Sequence, residues 1–129
     1  VQEREVLAFV LAYENACGYC MALHTVLAEQ VEGVAPEIDA LRHGASPGDP
    51  RLAVFASFVR ATLAEKGNVS DAAWTAFRSA GYTEENALDV VLGIATYTLT
   101  TFANRLVQAP LDPFLERFRW DDEARRAVA

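Results

Sequence analysis

The chain has little of what breaks up a fold or staples one together. Its 129 residues include 5 prolines and 7 glycines, too few for a disordered or loop-dominated protein. Its two cysteines, Cys17 and Cys20, are too few for the disulfide framework of a small secreted domain. Lysine and arginine number 11 against 18 acidic residues, the formal net charge is −7, and no basic cluster stands out. Binding to a phosphate backbone is therefore disfavoured. No run approaches the roughly 18 apolar residues of a membrane span. Strand patterns are also scarce: the nearest, "TYTLTT" at 96–101, has helical flanks. A thioredoxin-type fold needs a βαβ unit, and no pattern for one is present.

What is present is helical periodicity and a hydrophobic fraction of 52%, enough to build a core. The length suits one domain, read here as 1–129, with a short native segment before Val1 allowed for. Val6, Leu7, Val10 and Leu11 set an apolar stripe on a first helix from Glu3 to Tyr13. "NACG" (15–18) interrupts it, with Asn15 or Gly18 suited to a turn or cap. A second helix is predicted from about Tyr19 to Gln30, ended by Gly33, then a short one in "APEIDALRHG" that Gly44 ends. After the loop "ASPGDP" (45–50), an amphipathic helix spans 51–67. Another follows Ser70 as N-cap and stops at Gly81.

The longest helix is predicted over 83–107, with Thr83 and Asn86 in a capping arrangement. It is too apolar to hide in a small bundle, which suggests self-association. A short tail helix is predicted from about Asp112 to Arg117, and "RWDDEARR" (119–126) reads as a solvated charged tail. Segments 5–13 and 89–97 echo each other faintly, each running from an acid through aliphatics to a tyrosine.

Chemistry concentrates in "ENACGYCMALHT" (14–25). His24 follows Cys20 by four residues and shares its helix face, within reach of the sulfur. Cys17 sits at or just before the helix start, where free N–H groups and the positive dipole end favour a thiolate. The spacing supplies an attacking thiol, a resolving thiol and a base. With His24 beside it, Cys20 is the expected attacking thiol and Cys17 the resolving one. An acid from the first helix, Glu5 or Glu14, would orient His24 and relay a proton, and periodicity alone does not choose between them. Glu5 is the odder residue, since Val6 and Leu7 beside it look buried. Glu14 leans towards a solvated helix end.

The stretch "EREVLAFVLAYENACGYCMALHT" (3–25) resembles the signature of the AhpD-like alkylhydroperoxidase and carboxymuconolactone decarboxylase superfamily. That signature is a glutamate twelve residues before a CxxC, with a histidine four after the second cysteine. Glu5, Cys17, Cys20 and His24 match it one by one, and the likeness continues over most of the chain. The resemblance implies an all-α, AhpD-like helical bundle with the CxxC at the start of the second helix, assembled as a trimer or hexamer. It implies reduction of hydroperoxides through Cys20, Cys17 closing a disulfide, and Glu5 with His24 relaying protons. No cofactor is implied in the domain; an external dithiol or protein reductant is. The setting expected is cytoplasmic. One position departs from the pattern: Tyr19 stands where the best-known peroxidase member carries a second histidine, and a tyrosine is a poor base at neutral pH.

Other readings stay open. The two thiols could be buried small hydrophobes, or zinc ligands with His24 and an acid, though no second CxxC or HxxxH supports a metal. The other superfamily branch offers decarboxylase or lactone chemistry, and a non-catalytic redox-sensing module is a third class. His43, before Gly44, suits a helix C-terminus. Tyr13 and Tyr97 read as core or interface, as do Phe55, Phe58, Trp74 and Phe77 as core packing. Asn104, polar near the end of an apolar helix, reads as structural.

Overall fold

A computed structural model describes residues 1–121. Six α-helices lie among the described residues: α1 (Gln2–Glu14), α2 (Gly18–Ala28), α3 (Ile38–Arg42), α4 (Pro50–Ala64), α5 (Asp71–Ser79) and α6 (Glu84–Leu106). Two 3₁₀ segments, Ala35–Glu37 and Pro113–Phe118, accompany them, and there is no strand among the described residues. None of these helices is long and apolar enough to cross a membrane.

The first helix is the axis of the molecule. Every residue from Glu5 to Ala12 is buried, and α2, α3, α4 and α6 all pack on it. The sequence pattern suggested one stripe. Ala8, Phe9 and Ala12 are apolar as well, so the helix can be covered all round. The echo between 5–13 and 89–97 does not survive as equivalent environments. Glu5 is fully buried, whereas its counterpart Asp89 is exposed on α6.

The predicted punctuation holds with small shifts. Asp49 caps α4, accepting from the N–H groups of Arg51 and Leu52 at 2.9 Å. Ser70 caps α5, and Thr83 and Asn86 form a reciprocal capping box on α6. Gly33, Gly44 and Gly81 all take positive φ. The second helix ends at Ala28 rather than Gln30, and the fourth at Ala64 rather than Gly67, where Lys66 has already turned to φ 53°. The expected tail helix is a 3₁₀ segment. Pro113 starts it and six residues are too few to pull it into a regular α-helix.

Two packing features frame the site. Phe55, Phe58, Trp74, Phe77 and Tyr82 form an aromatic cluster between α4 and α5, with Phe58 stacked on Phe77 at 3.9 Å. On the other side, Arg42 donates to Thr25 Oγ1 at 2.7 Å and to the carbonyls of Phe118 and Arg119 at 3.2 Å. Trp120 Nε1 donates back to the Arg42 carbonyl, and its ring leans on Tyr13. The start of the expected solvated tail is thus docked: Trp120 is half-buried. The remainder of that tail, 122–126, lies outside the described residues.

Candidate functional site

The turn between α1 and α2 puts the cysteines in place. Asn15 ends α1, and Ala16 takes the left-handed conformation at φ 52° that a glycine would adopt more readily. Gly18, one of the residues expected to make the turn, is instead the first residue of α2. The Cys17 N–H returns to Ala12 O at 2.8 Å, so the turn is closed on α1. Asn15 Nδ2 donates to Thr101 Oγ1 at 2.9 Å, tying the same turn to the C-terminal part of α6.

Cys17 is the N-cap of α2, in extended conformation, and its sulfur accepts the Cys20 N–H at 3.2 Å. A sulfur here faces the positive end of the helix dipole, which favours its anionic form once reduced. Cys17 and Cys20 are joined as a disulfide. Both residues are buried, Cys17 at 1% exposure and Cys20 at 5%. A cavity of about 370 Å³ opens beside Cys17, walled by Tyr19, Asn104, Arg105 and Trp120 among others.

One turn further along α2 stands His24, also buried. Its Nδ1 lies 2.9 Å from Glu5 Oε2. Burial would push the Glu5 carboxyl up, but the hydrogen bond and charge of His24, with those of Arg4, outweigh it and hold Glu5 below its ordinary value. Glu5 is therefore the carboxylate and the Nδ1–H donates to it. In neutral His24 that leaves Nε2 as the basic nitrogen, the tautomer a general base on this helix face requires. Arg4 closes the other Glu5 oxygen, with Nε 3.1 Å and a terminal nitrogen 3.0 Å from Oε1.

Of the two acids left open by the sequence, the structure brings Glu5 to His24. Glu14 goes elsewhere: it pairs with Arg60 Nε at 3.6 Å and is half-buried rather than solvated. Tyr19, where the sequence departs from the superfamily pattern, is engaged elsewhere. Its hydroxyl donates to Asp112 Oδ2 at 2.7 Å, and that bond chiefly, with a little burial, raises its pKa. His43 does what its position suggested, closing α3 with Nδ1 2.8 Å from Asp39 O. Tyr97, read as core or interface, belongs to the site's wall. Its ring meets the His24 ring edge-on at 5.3 Å, and burial first, then the Glu5 charge, raises its pKa.

Two contributors were missed. Arg4 was not singled out because an arginine at a helix start is ordinarily solvated, and its own side chain is 61% exposed while its tip reaches a buried acid. Asn104 was read as structural, yet its Nδ2 lies 3.4 Å from Cys20 Sγ. The available signal was its polarity near the end of an otherwise apolar helix. Among the described residues, no group of three or more His, Cys, Asp or Glu side chains converges to hold a metal ion. The set once considered for zinc is split between a disulfide and the Glu5–His24 pair.

No family model matches the chain. No curated protein matches it either. Among solved structures, the fold is similar to that of an uncharacterized peroxidase-related protein from Silicibacter sp. TM1040, with a TM-score of 0.76. Identity is 21%, and the match covers 88% of this chain but 61% of that one. At that identity the likeness is one of fold: an all-α bundle shared over most of the chain, in keeping with the helical periodicity of the sequence. Within this fold the disulfide-forming cysteine pair stands at the start of the second helix.

Proposed function

We propose that this protein is a thiol-dependent peroxidase that reduces hydroperoxides through Cys17 and Cys20, with Glu5 and His24 as its proton relay. The observation that carries the reading is the buried Glu5–His24 pair one helical turn from a cysteine pair already joined as a disulfide. The solved structure of similar fold is itself described as peroxidase-related, which adds support.

In this mechanism His24 Nε2 takes the proton from Cys20, and Glu5 stabilises the imidazolium. The Cys20 thiolate attacks the outer peroxide oxygen. The O–O bond breaks, an alkoxide leaves and takes the proton from His24, and Cys20 becomes a sulfenic acid. The Cys17 thiol loses its proton as it attacks that sulfur, the S–O bond breaks, and the leaving hydroxide takes up that proton, so that water leaves with the disulfide. Two electrons have passed from two thiols to one hydroperoxide. An external dithiol returns them by thiol–disulfide exchange, which fits a reducing, cytoplasmic setting. The domain's own residues need no cofactor for these steps.

The working unit is a homo-oligomer, a trimer or hexamer. Its support is an apolar stripe along α6: Leu88, Leu92, Leu99, Phe102 and Leu106 recur on one face and are all exposed.

The test is thiol titration with intact mass, before and after one equivalent of hydroperoxide, on the reduced wild type and Cys17→Ser. The expected result is loss of both thiols and about 2 Da in the wild type, with a sulfenic acid trapped at Cys20 in the variant. Thiols that stay reduced would end the peroxidase reading. Trapping at Cys17 in a Cys20→Ser variant, and not at Cys20, would reverse the two roles.

A further inference from the structure

We propose that Asn104 holds the Cys20 sulfur as its hydrogen-bond donor and lowers the thiol's pKa, so that α6 tunes the attacking thiolate from across the bundle. The inference deepens the peroxidase reading and takes from it the role of Cys20.

Four observations converge on it. First, Asn104 Nδ2 is 3.4 Å from Cys20 Sγ, although the two residues lie 84 positions apart. Second, the orientation of the amide is the one chemistry selects, because the opposite flip would set an oxygen lone pair against sulfur. Third, the position of Asn104 does not depend on the cysteines. One turn earlier on the same helix, Thr101 accepts from Asn15 in the turn that leads to Cys17, and this bond fixes the register of α6 over the site. Fourth, the two sulfurs are served by different donors. Among the described residues, Cys17 has the Cys20 backbone N–H, and Cys20 has the Asn104 side chain from another helix.

A donor to sulfur stabilises thiolate over thiol, because the charged acceptor makes the stronger bond. Cys20 lies within α2, beyond the capping position that Cys17 occupies, so it gains less from the dipole end. Asn104 offsets that disadvantage. The same bond favours Cys20 as the leaving thiolate when an external dithiol attacks Cys17. Asn104 also lines the cavity beside Cys17, so it stands where a small oxidant would enter.

The test isolates each sulfur. In a Cys17→Ser background the new serine still caps α2, and Cys20 is the sole thiol. Its pKa is read from thiolate absorbance against pH, and from the pH dependence of alkylation. Asn104→Leu keeps the volume and removes the donor; Asn104→Asp keeps the shape and replaces the donor with a charge. The Cys20 pKa is expected to rise by about one unit in the leucine variant, a roughly tenfold loss of thiolate below neutrality, and by more in the aspartate variant. In a Cys20→Ser background, Asn104→Leu is expected to leave the Cys17 pKa in place.

A Cys20 pKa unchanged in a folded Asn104→Leu protein, with native helical circular dichroism, would overturn the proposal. So would equal shifts at both cysteines. If the leucine variant does not fold, Asn104→Ala and the aspartate variant carry the same comparison. Peroxide consumption by the wild type is measured separately. Its absence would remove the peroxidase reading, while the pKa comparison would still decide what Asn104 does.

Discussion

Glu5 and His24 lie 19 residues apart in sequence and 2.9 Å apart in space, both buried, with Arg4 on the far oxygen of the carboxylate. The pair exists because α1 and α2 are joined by a closed turn and pack face to face. Replacing Glu5 by glutamine keeps the volume and removes the charge that stabilises imidazolium. Glu5→Gln is expected to lower kcat/KM for hydroperoxide by about 10²-fold to 10³-fold, in the lower part of the range that acid–base catalysis contributes. Steady-state peroxide consumption with a dithiol in excess measures it. A rate equal to wild type would make the pair a packing device only.

The direction of the Glu5 shift carries a sign for stability. Its folded pKa lies below the ordinary value, as does that of Glu3, which burial opposes but its own backbone N–H and Arg51 bring down. The folded state therefore binds these protons less tightly than the unfolded chain. Their contribution is present above the ordinary glutamate value of about 4.3 and is lost as pH falls through the folded values. Urea midpoints taken from pH 6 to pH 3 are expected to drop on the acid side, and the drop should be shallower in Glu5→Gln. Parallel acid profiles for the two proteins would show that Glu5 does not contribute.

Gly93 lets α6 approach α1. A Cβ built there would stand 2.7 Å from Leu7 Cδ1, closer than real contacts allow. Two magnitudes compete in Gly93→Ala. Helix propensity gains about 1 kcal/mol, and overpacking costs about 1–3 kcal/mol. Leu7 also lines a cavity of about 510 Å³ beside Gly93, so its end can swing aside. The alanine variant is expected within about 1 kcal/mol of the parent by denaturant unfolding. Gly93→Val adds a second branch and is expected to lose about 2 kcal/mol more.

Leu99 is 71% exposed and Phe102 56% on the apolar face of α6. Leu99→Glu with Phe102→Glu places two charges on that face. If copies of the chain meet there, light scattering is expected to show the mass fall to that of one chain, with helix content retained. An unchanged mass would place the contact on another surface.

How far the site could be read from sequence follows from how local each feature is. Thr83 with Asn86, Ser70 and the glycine stops are spacing rules within a few residues, and the structure keeps them. The placement of Cys17 at the start of α2 is equally local. Choosing Glu5 over Glu14 required knowing which side of α1 meets α2, and both positions suit a helix. The resemblance settled on Glu5 where periodicity did not. Asn104 and Arg4 were out of reach for different reasons. One acts 84 residues away through tertiary packing, and the other bends a solvated stem back to a buried oxygen. The burial of α1 on all sides was underestimated because its alanines count little in a periodic pattern yet admit neighbours closely.

The sulfur of Cys17 caps the start of a helix, and in the proposed reaction the same atom exchanges electrons, so the two roles are coupled. By reciprocity, whatever free energy its ionised form adds to the closure of that helix appears, with equal size, as a fall in the pH at which it ionises. A thermal melt of the reduced protein at several pH values is then also a titration of its chemistry.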